Sequence, residues 1–217
     1  IMHQLVSIRR DDAELFAARA AAMFQSIPGS EPTASRYFES VAPGFIARGG
    51  KFDVRKLDET AQEFEDEWPQ LTMVDCREFT EFSDALVRCN DPRKMYSYVR
   101  KMEGFDAYSP PNKFLQCTLR PSYPILLKSM VTIAKQLGKN DKLRLYFVVP
   151  SEQYEGWLGA QSFAGKKVQQ NAAKLRAMNN EEIMKTIGVS KDDFKMVDDK
   201  LEQYVMCLDL SNPITRK

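Results

Sequence analysis

The octapeptide "LRLYFVVP" (143–150) constrains this chain more than any other segment. Its β-branched and aromatic residues make a near-continuous apolar run, which suits a strand buried on both faces. Ahead of it, Pro121 and Pro124 flank the start of a helix that runs to about Gln136 and is stopped by Gly138. Before that helix, "KFLQCTL" (113–119) reads as another strand. Strand, helix, strand with a crossover of this length implies a parallel pair, so an α/β sheet is expected.

"GFDAYSP" (104–110) and "KFLQCTL" form a short-looped strand pair joined through "PPN". Residues 11–26 read as a helix with Leu15, Phe16 and Met23 on one side, and "IPGSEPTAS" then breaks the pattern. The residues before 31 are accordingly assigned to the helical tail of an upstream region. "ASRYFESVAPGFIARGG" (34–50) is helical, with Ser35 as N-cap and Gly49-Gly50 as the stop, while Pro43 should kink or divide it. "KFDVRKL" is a short strand. Leu57, Ala61, Phe64 and Trp68 recur at helical spacing beneath an acidic face of Glu59, Glu63, Asp66 and Glu67. "LTMVDC" and "KMYSYVR" are strand-like, with "REFTEFSDALVR" helical between them. Ser151 reads as a helix cap for "SEQYEGWLG", residues 164–188 supply one or two helices, and "EQYVMCLDL" is a final strand.

Composition narrows the chemistry. The single histidine, His3, lies near one end, which excludes zinc fingers, HExxH proteases and Ser-His-Asp triads. Cys76, Cys89, Cys117 and Cys207 show no CxxC pairing and read as buried reduced thiols. No apolar run approaches about 18 residues, so no membrane-spanning helix is expected. The first residue is isoleucine and no signal peptide follows, as in an excerpt of a longer protein. The net charge of +1 hides an asymmetry: 51–91 carries 5 Lys/Arg against 12 Asp/Glu, and 93–144 carries 11 against 3. A basic segment suits phosphate contacts; alternatively, the two segments pack together and neutralise each other. Arg93-Lys94 and Lys166-Lys167 are open to the same two readings. Tyr146, Phe147 and Trp157 could stack on bases but fit a core better.

Asp106 is followed by Gln116 and Thr118, two polar positions at i and i+2 on an apolar strand. In strand-borne metal nucleases, an Asp and a second acid hold Mg²⁺ over the scissile phosphate, and a lysine two positions on faces the same way. Here Gln116 takes the acid's place and Thr118 the lysine's. Taken alone, D-x9-Q-x-T is equally the pattern of a hairpin with polar residues on its wet face.

Four motifs occur in order: "SRYFESVAPGFIARGGKFDVRKL", "GFDAYSPPNKFLQCTLRPSYPI", "LRLYFVVPSEQYEGW" and "LEQYVMCLDL". Together they resemble the C-terminal domain of Crinkler proteins and the related trypanosome retrotransposon hot spot proteins, over about residues 35–210. The resemblance implies a restriction-endonuclease-like mixed sheet flanked by helices over 31–213, with a diverged insertion at about 57–92. It implies action in the nucleus (a host nucleus for a secreted effector) on DNA or RNA or on nuclear proteins, and a P-loop ATPase domain upstream in the full protein. No GxxxxGK[ST] stretch is present in this sequence.

By position, the resemblance assigns Glu39 of "YFES" as the helix acid, Asp106 as the strand acid, and Gln116 and Thr118 as the Q-x-T pair, with Glu39, Asp106 and Gln116 as Mg²⁺ ligands. Tyr123 stands where the family often has histidine. A glutamine oxygen is a neutral ligand and Thr118 brings no positive charge, so weak Mg²⁺ binding and slow or absent cleavage are expected. Losses of this kind are worth about 10²–10⁴-fold in rate. Arg120, in phase with 116 and 118, is the preferred substitute for the lysine over Lys113, which regular pairing puts on the opposite face. Arg120, Lys128, Lys113 and Lys94 are the expected nucleic-acid contacts. Two further readings stay open: a catalytically retired module that binds nuclear proteins, and an active Mg²⁺-dependent phosphodiesterase.

Overall fold

The computed structural model describes residues 31–58, 60–76, 87–97, 104–138, 140–165 and 168–209. The helix assigned to 11–26, the helix assigned to most of 77–88, the end of "KMYSYVR", Glu59 and Lys166-Lys167 lie outside the described residues. The elements are α1 (Glu31–Ala47), β1 (Gly50–Lys56), β2 (Glu63–Trp68), β3 (Thr72–Asp75), β4 (Lys94–Ser97), β5 (Ala107–Ser109), β6 (Lys113–Cys117), β7 (Ile125–Leu126), α2 (Leu127–Gln136), β8 (Leu143–Pro150), α3 (Ser151–Tyr154), β9 (Phe163–Gly165), β10 (Val168–Gln170), α4 (Ala172–Ala177), α5 (Asn180–Thr186), α6 (Lys191–Lys200) and β11 (Leu201–Leu208).

Eight strands form one mixed sheet in the order β2-β1-β11-β8-β6-β5-β4-β3, and β10-β9-β7 form a second, small sheet. β8 sits at the centre, parallel to both β11 and β6. It is buried along nearly its whole length, as a run without polar alternation requires. Its side chains divide between two cores: Leu145, Phe147 and Val149 face one, Tyr146 and Val148 the other. α2, α5 and α6 contribute to the first core and α1 to the second. The expected α/β architecture, a large mixed sheet flanked by helices, is what the chain adopts. No helix among the described residues is long and apolar enough to cross a membrane.

α1 runs unbroken through Pro43, contrary to the expected kink or division. A mid-helix proline removes one backbone hydrogen bond, here the one to the Glu39 carbonyl. Burial of Phe38, Ala42, Phe45 and Ile46 on the face packed against the sheet offsets that loss. Ser35 is not an N-cap either; it lies inside α1 and its hydroxyl donates to Glu39 Oε1 at 3.0 Å. The stop at Gly49 holds. Its φ of +79° ends the helix, and a Cβ there would lie 2.8–2.9 Å from backbone atoms of Trp68, Pro69 and Gln70.

The described residues of 57–68 form no helix, contrary to the expected helical stripe. Leu57 follows β1 and is buried in the first core, Ala61 sits in a turn at φ 43°, and β2 pairs antiparallel with β1 from Arg55↔Glu63 to Gly50↔Trp68. The acids are strand residues: Glu63 lies opposite Arg55 and meets it at 2.6 Å, and Lys51, opposite Glu67, reaches diagonally to Glu65 at 3.3 Å. The described parts of 57–92 thus supply β2 and β3, one at each end of the main sheet. Ser151 begins α3 but is not its cap; Pro150 holds that position without a side-chain bond. Tyr146, Phe147 and Trp157 are core residues.

Candidate functional site

Asp106 stands one step beyond the paired Ala107 and Leu115, so the β5–β6 register sets it opposite Gln116. The Asp106 N–H extends the ladder by donating to the Leu115 carbonyl at 2.7 Å. Side chains at such cross-strand positions are near neighbours, and here they bond. Gln116 Nε2 donates to Asp106 Oδ2 at 2.8 Å and to the Cys117 carbonyl at 3.3 Å. The Cys117 backbone N–H donates to the same Oδ2 at 2.7 Å. One carboxylate oxygen is therefore held by two donors, while Oδ1 has no hydrogen-bond partner among the described residues.

Burial pushes the Asp106 pKa up to about 8; the Cys117 N–H opposes the rise and the Glu39 charge adds to it. A carboxyl that exchanges its proton near neutral pH has the acidity of an efficient general acid or base. Glu39 is partly buried on the continuous α1, fixed by Ser35, and its charge is felt at Asp106, Cys117 and Tyr123 alike. The Tyr123 phenol is half-buried, and burial and then the Asp106 and Glu39 charges raise its pKa, with Arg120 opposing. The fold thus gathers Glu39, Asp106, Gln116 and Tyr123 at the C-terminal end of β6.

Thr118 and Arg120 depart from the expected strand phase. β6 ends at Cys117, and Thr118 is fully buried with its Oγ1 accepting the Arg120 N–H at 3.0 Å. That side-chain-to-backbone bond turns the chain ahead of Pro121, so alternation does not extend to residue 120. Gln153 Nε2, on α3, pins the turn by donating to the Leu119 carbonyl at 2.7 Å. Arg120 is exposed, its charge reaches Tyr123, and its side chain has no ion-pair partner among the described residues.

The other basic candidates divide. Lys128 is exposed on α2 and has no ion pair among the described residues. Lys94 pairs with Asp91 at 3.6 Å, and Arg93 pairs with the same acid at 3.1 Å. Lys113 does lie on the face opposite Gln116, with Leu115 and Cys117, and is enclosed there. Its Nζ is 3.1 Å from Asp66 Oδ2 and 4.1 Å from the centre of the Trp68 ring. Asp66 Oδ2 also accepts from the Trp68 indole at 3.0 Å and the Tyr146 hydroxyl at 2.9 Å. Lys113 is therefore committed to an internal network and is not available to a phosphate. Neutralisation between the acidic and basic segments thus occurs at Lys113 and Lys94, and Arg120 and Lys128 stand outside it.

The Asp66 network has no counterpart in the sequence reading, because its members lie far apart in the chain and on three strands. The Cys117 N–H could have been found, since a hairpin through Pro110-Pro111-Asn112 brings residue 117 beside 106. An expected Mg²⁺ would draw on the carboxylates of Asp106 and Glu39 and the amide oxygen of Gln116, an oxygen set of suitable chemistry with two charges. Among the described residues, no three His, Cys, Asp or Glu side chains are grouped to hold a metal. Comparison of the chain with protein-family models, curated proteins and solved structures finds no match.

Proposed function

We propose that the chain is a restriction-endonuclease-like domain of the Crinkler and retrotransposon-hot-spot kind that engages DNA or RNA in the nucleus, with a degenerate Mg²⁺ site and slow or absent cleavage. The observation that carries this reading is the meeting of Asp106 and Gln116 across the β5–β6 hairpin, within the field of Glu39. Supporting it, the motif-bearing elements are joined in one fold. α1 carries Phe38-Glu39 ahead of the Gly49-Gly50 turn, β6 carries the first part of Q-x-T, and α2 leads to β8, parallel to β6.

In this reading, Asp106 Oδ1, Glu39 and Gln116 hold Mg²⁺, which when bound would polarise a phosphate oxygen and acidify a water. Asp106 is oriented by Gln116 and the Cys117 N–H. Arg120, exposed beside Tyr123, meets the phosphate backbone, and Lys128 on α2 extends the contact. With an amide for the second acid and a buried threonine for the lysine, the domain binds better than it cleaves.

The test is a salt titration of DNA and RNA binding with and without Mg²⁺. Affinity falls as salt rises, and Arg120→Ala with Lys128→Ala reduces that slope. Affinity indifferent to salt and to both substitutions would sink the reading. Any Mg²⁺-dependent cleavage is lost in Asp106→Ala.

A second reading rests on the exposed acidic side chains of β2 and on the burial of Thr118: a retired nuclease fold that binds a nuclear protein. It requires that replacing Glu63, Glu65 and Glu67 by Gln abolish capture of that protein; intact capture rejects it.

A further inference from the structure

We propose that Cys76 and Cys89 are a redox pair that closes to a reversible disulfide at the β3–β4 edge of the sheet. Their sulfurs are in contact, 3.5 Å apart, and both residues are buried, at 6% and 2% exposure. Their surroundings are ordered by strand pairing on one side and a hydrogen-bonded turn on the other. The Cys76 N–H donates to the Ser97 carbonyl at 3.0 Å, which continues the parallel β3–β4 pairing by one residue. Cys89 lies just before Asp91, whose N–H donates to the Tyr96 hydroxyl at 3.3 Å and whose carboxylate accepts the Arg93 N–H at 3.0 Å. Both cysteines belong to the same core as Tyr96, Tyr108 and Phe114. A disulfide needs the sulfurs at about 2.05 Å, a further approach of about 1.5 Å.

The other two cysteines set the contrast. All four are reduced, and Cys76–Cys89 is the one sulfur–sulfur contact among the described residues. Burial holds the Cys117 thiol well above its ordinary pKa, with the Asp106 and Glu39 charges adding to the effect. Burial and then Asp53 push Cys207 up to about 11. Neither has a second thiol beside it to complete an exchange.

The oxidant is a low-molecular-weight disulfide. One thiolate of the pair attacks an oxidant sulfur and displaces the first small thiol, leaving a mixed disulfide. The second cysteine then attacks the protein sulfur of that mixed disulfide and displaces the other small thiol. Two electrons pass to the oxidant, and the two protons finish on the two released thiols. The new bond ties the end of β3 to the residues leading into β4. It is independent of the nucleic-acid reading.

The experiment treats the folded full chain with oxidised glutathione, then denatures, alkylates and maps the cysteines by mass spectrometry. The expected result is loss of two hydrogen masses, a single 76–89 cross-link, alkylation of Cys117 and Cys207, and reversal by dithiothreitol. The oxidised chain also melts at a higher temperature than the reduced one. Cys89→Ser blocks the change; because that variant could fold poorly, the wild-type map decides alone. Four alkylated cysteines, glutathione retained on one cysteine, or a cross-link through Cys117 or Cys207 would each overturn the proposal.

Discussion

Gln116 gives its amide N–H to Asp106 across the β5–β6 hairpin, 2.8 Å from nitrogen to carboxylate oxygen. The amide thereby does what a second acid could not do at neutral pH. It sits beside a buried carboxyl without adding charge, and together with the Cys117 N–H it holds one oxygen of Asp106 and leaves the other without a hydrogen bond among the described residues. An acid at 116 would depend on a bound cation to be tolerated there.

The raised pKa of Asp106 makes a signed prediction. An unfolded aspartate titrates near 3.9, whereas this one titrates at about 8. Between those values the folded state holds the extra proton, so the contribution of Asp106 to stability declines as pH rises and levels off above about pH 8. Asp106→Asn keeps an oxygen for both N–H donors and removes the slope. The variant is expected to match the wild type at about pH 4 and to melt higher at about pH 9, read from thermal midpoints across pH.

The Lys113–Asp66 pair is shielded, at 21% and 18% side-chain exposure. Lys113→Met leaves the acid with the Tyr146 and Trp68 donors but without its cation. A loss of about 1–3 kcal/mol is expected from denaturant unfolding. In a double-mutant cycle with Asp66→Asn, the second substitution should cost less than it does alone.

Gly49→Ala tests the turn from α1 into β1. The left-handed φ and three backbone atoms within 2.9 Å of a new Cβ act in the same direction. A cost above about 1 kcal/mol is expected. The same change at Gly50, where a Cβ would meet no atom within 4 Å, isolates the strain from φ alone.

Lys200, the last residue of α6, places its Nζ on the carbonyls of Ala134, Leu137 and Gly138, at 2.8–3.1 Å. A cation at the C-terminus of α2 satisfies acceptors that the helix leaves open. Lys200→Met is expected to cost about 1–2 kcal/mol and to speed amide exchange in the last turn of α2.

β8 was legible because eight residues without polar alternation admit few environments, and the 104–117 hairpin because prolines and Asn112 punctuate it. Asp106 and Gln116 could be paired from spacing, since both lie on that hairpin. β2 was not legible. Leu57, Ala61, Phe64 and Trp68 mimic a helical stripe, yet the first and last face opposite cores and the middle two are exposed. Strand pairing with β1 overrode the local pattern. Nor could spacing show that Lys113 is spoken for, because Asp66 and Tyr146 reach it only once β2, β6 and β8 share a sheet.

β2 ends the main sheet on its side, and Glu63, Glu65 and Glu67 are exposed along it. A terminal strand is where sheets of separate molecules can fuse. Here Glu63 and Glu65 are paired with Arg55 and Lys51, and this row of charged side chains disfavours an apolar edge-to-edge contact through the strand. Glu63 and Glu67, which imitate a helix face in the sequence, join Glu65 in the fold as charges along an otherwise open edge.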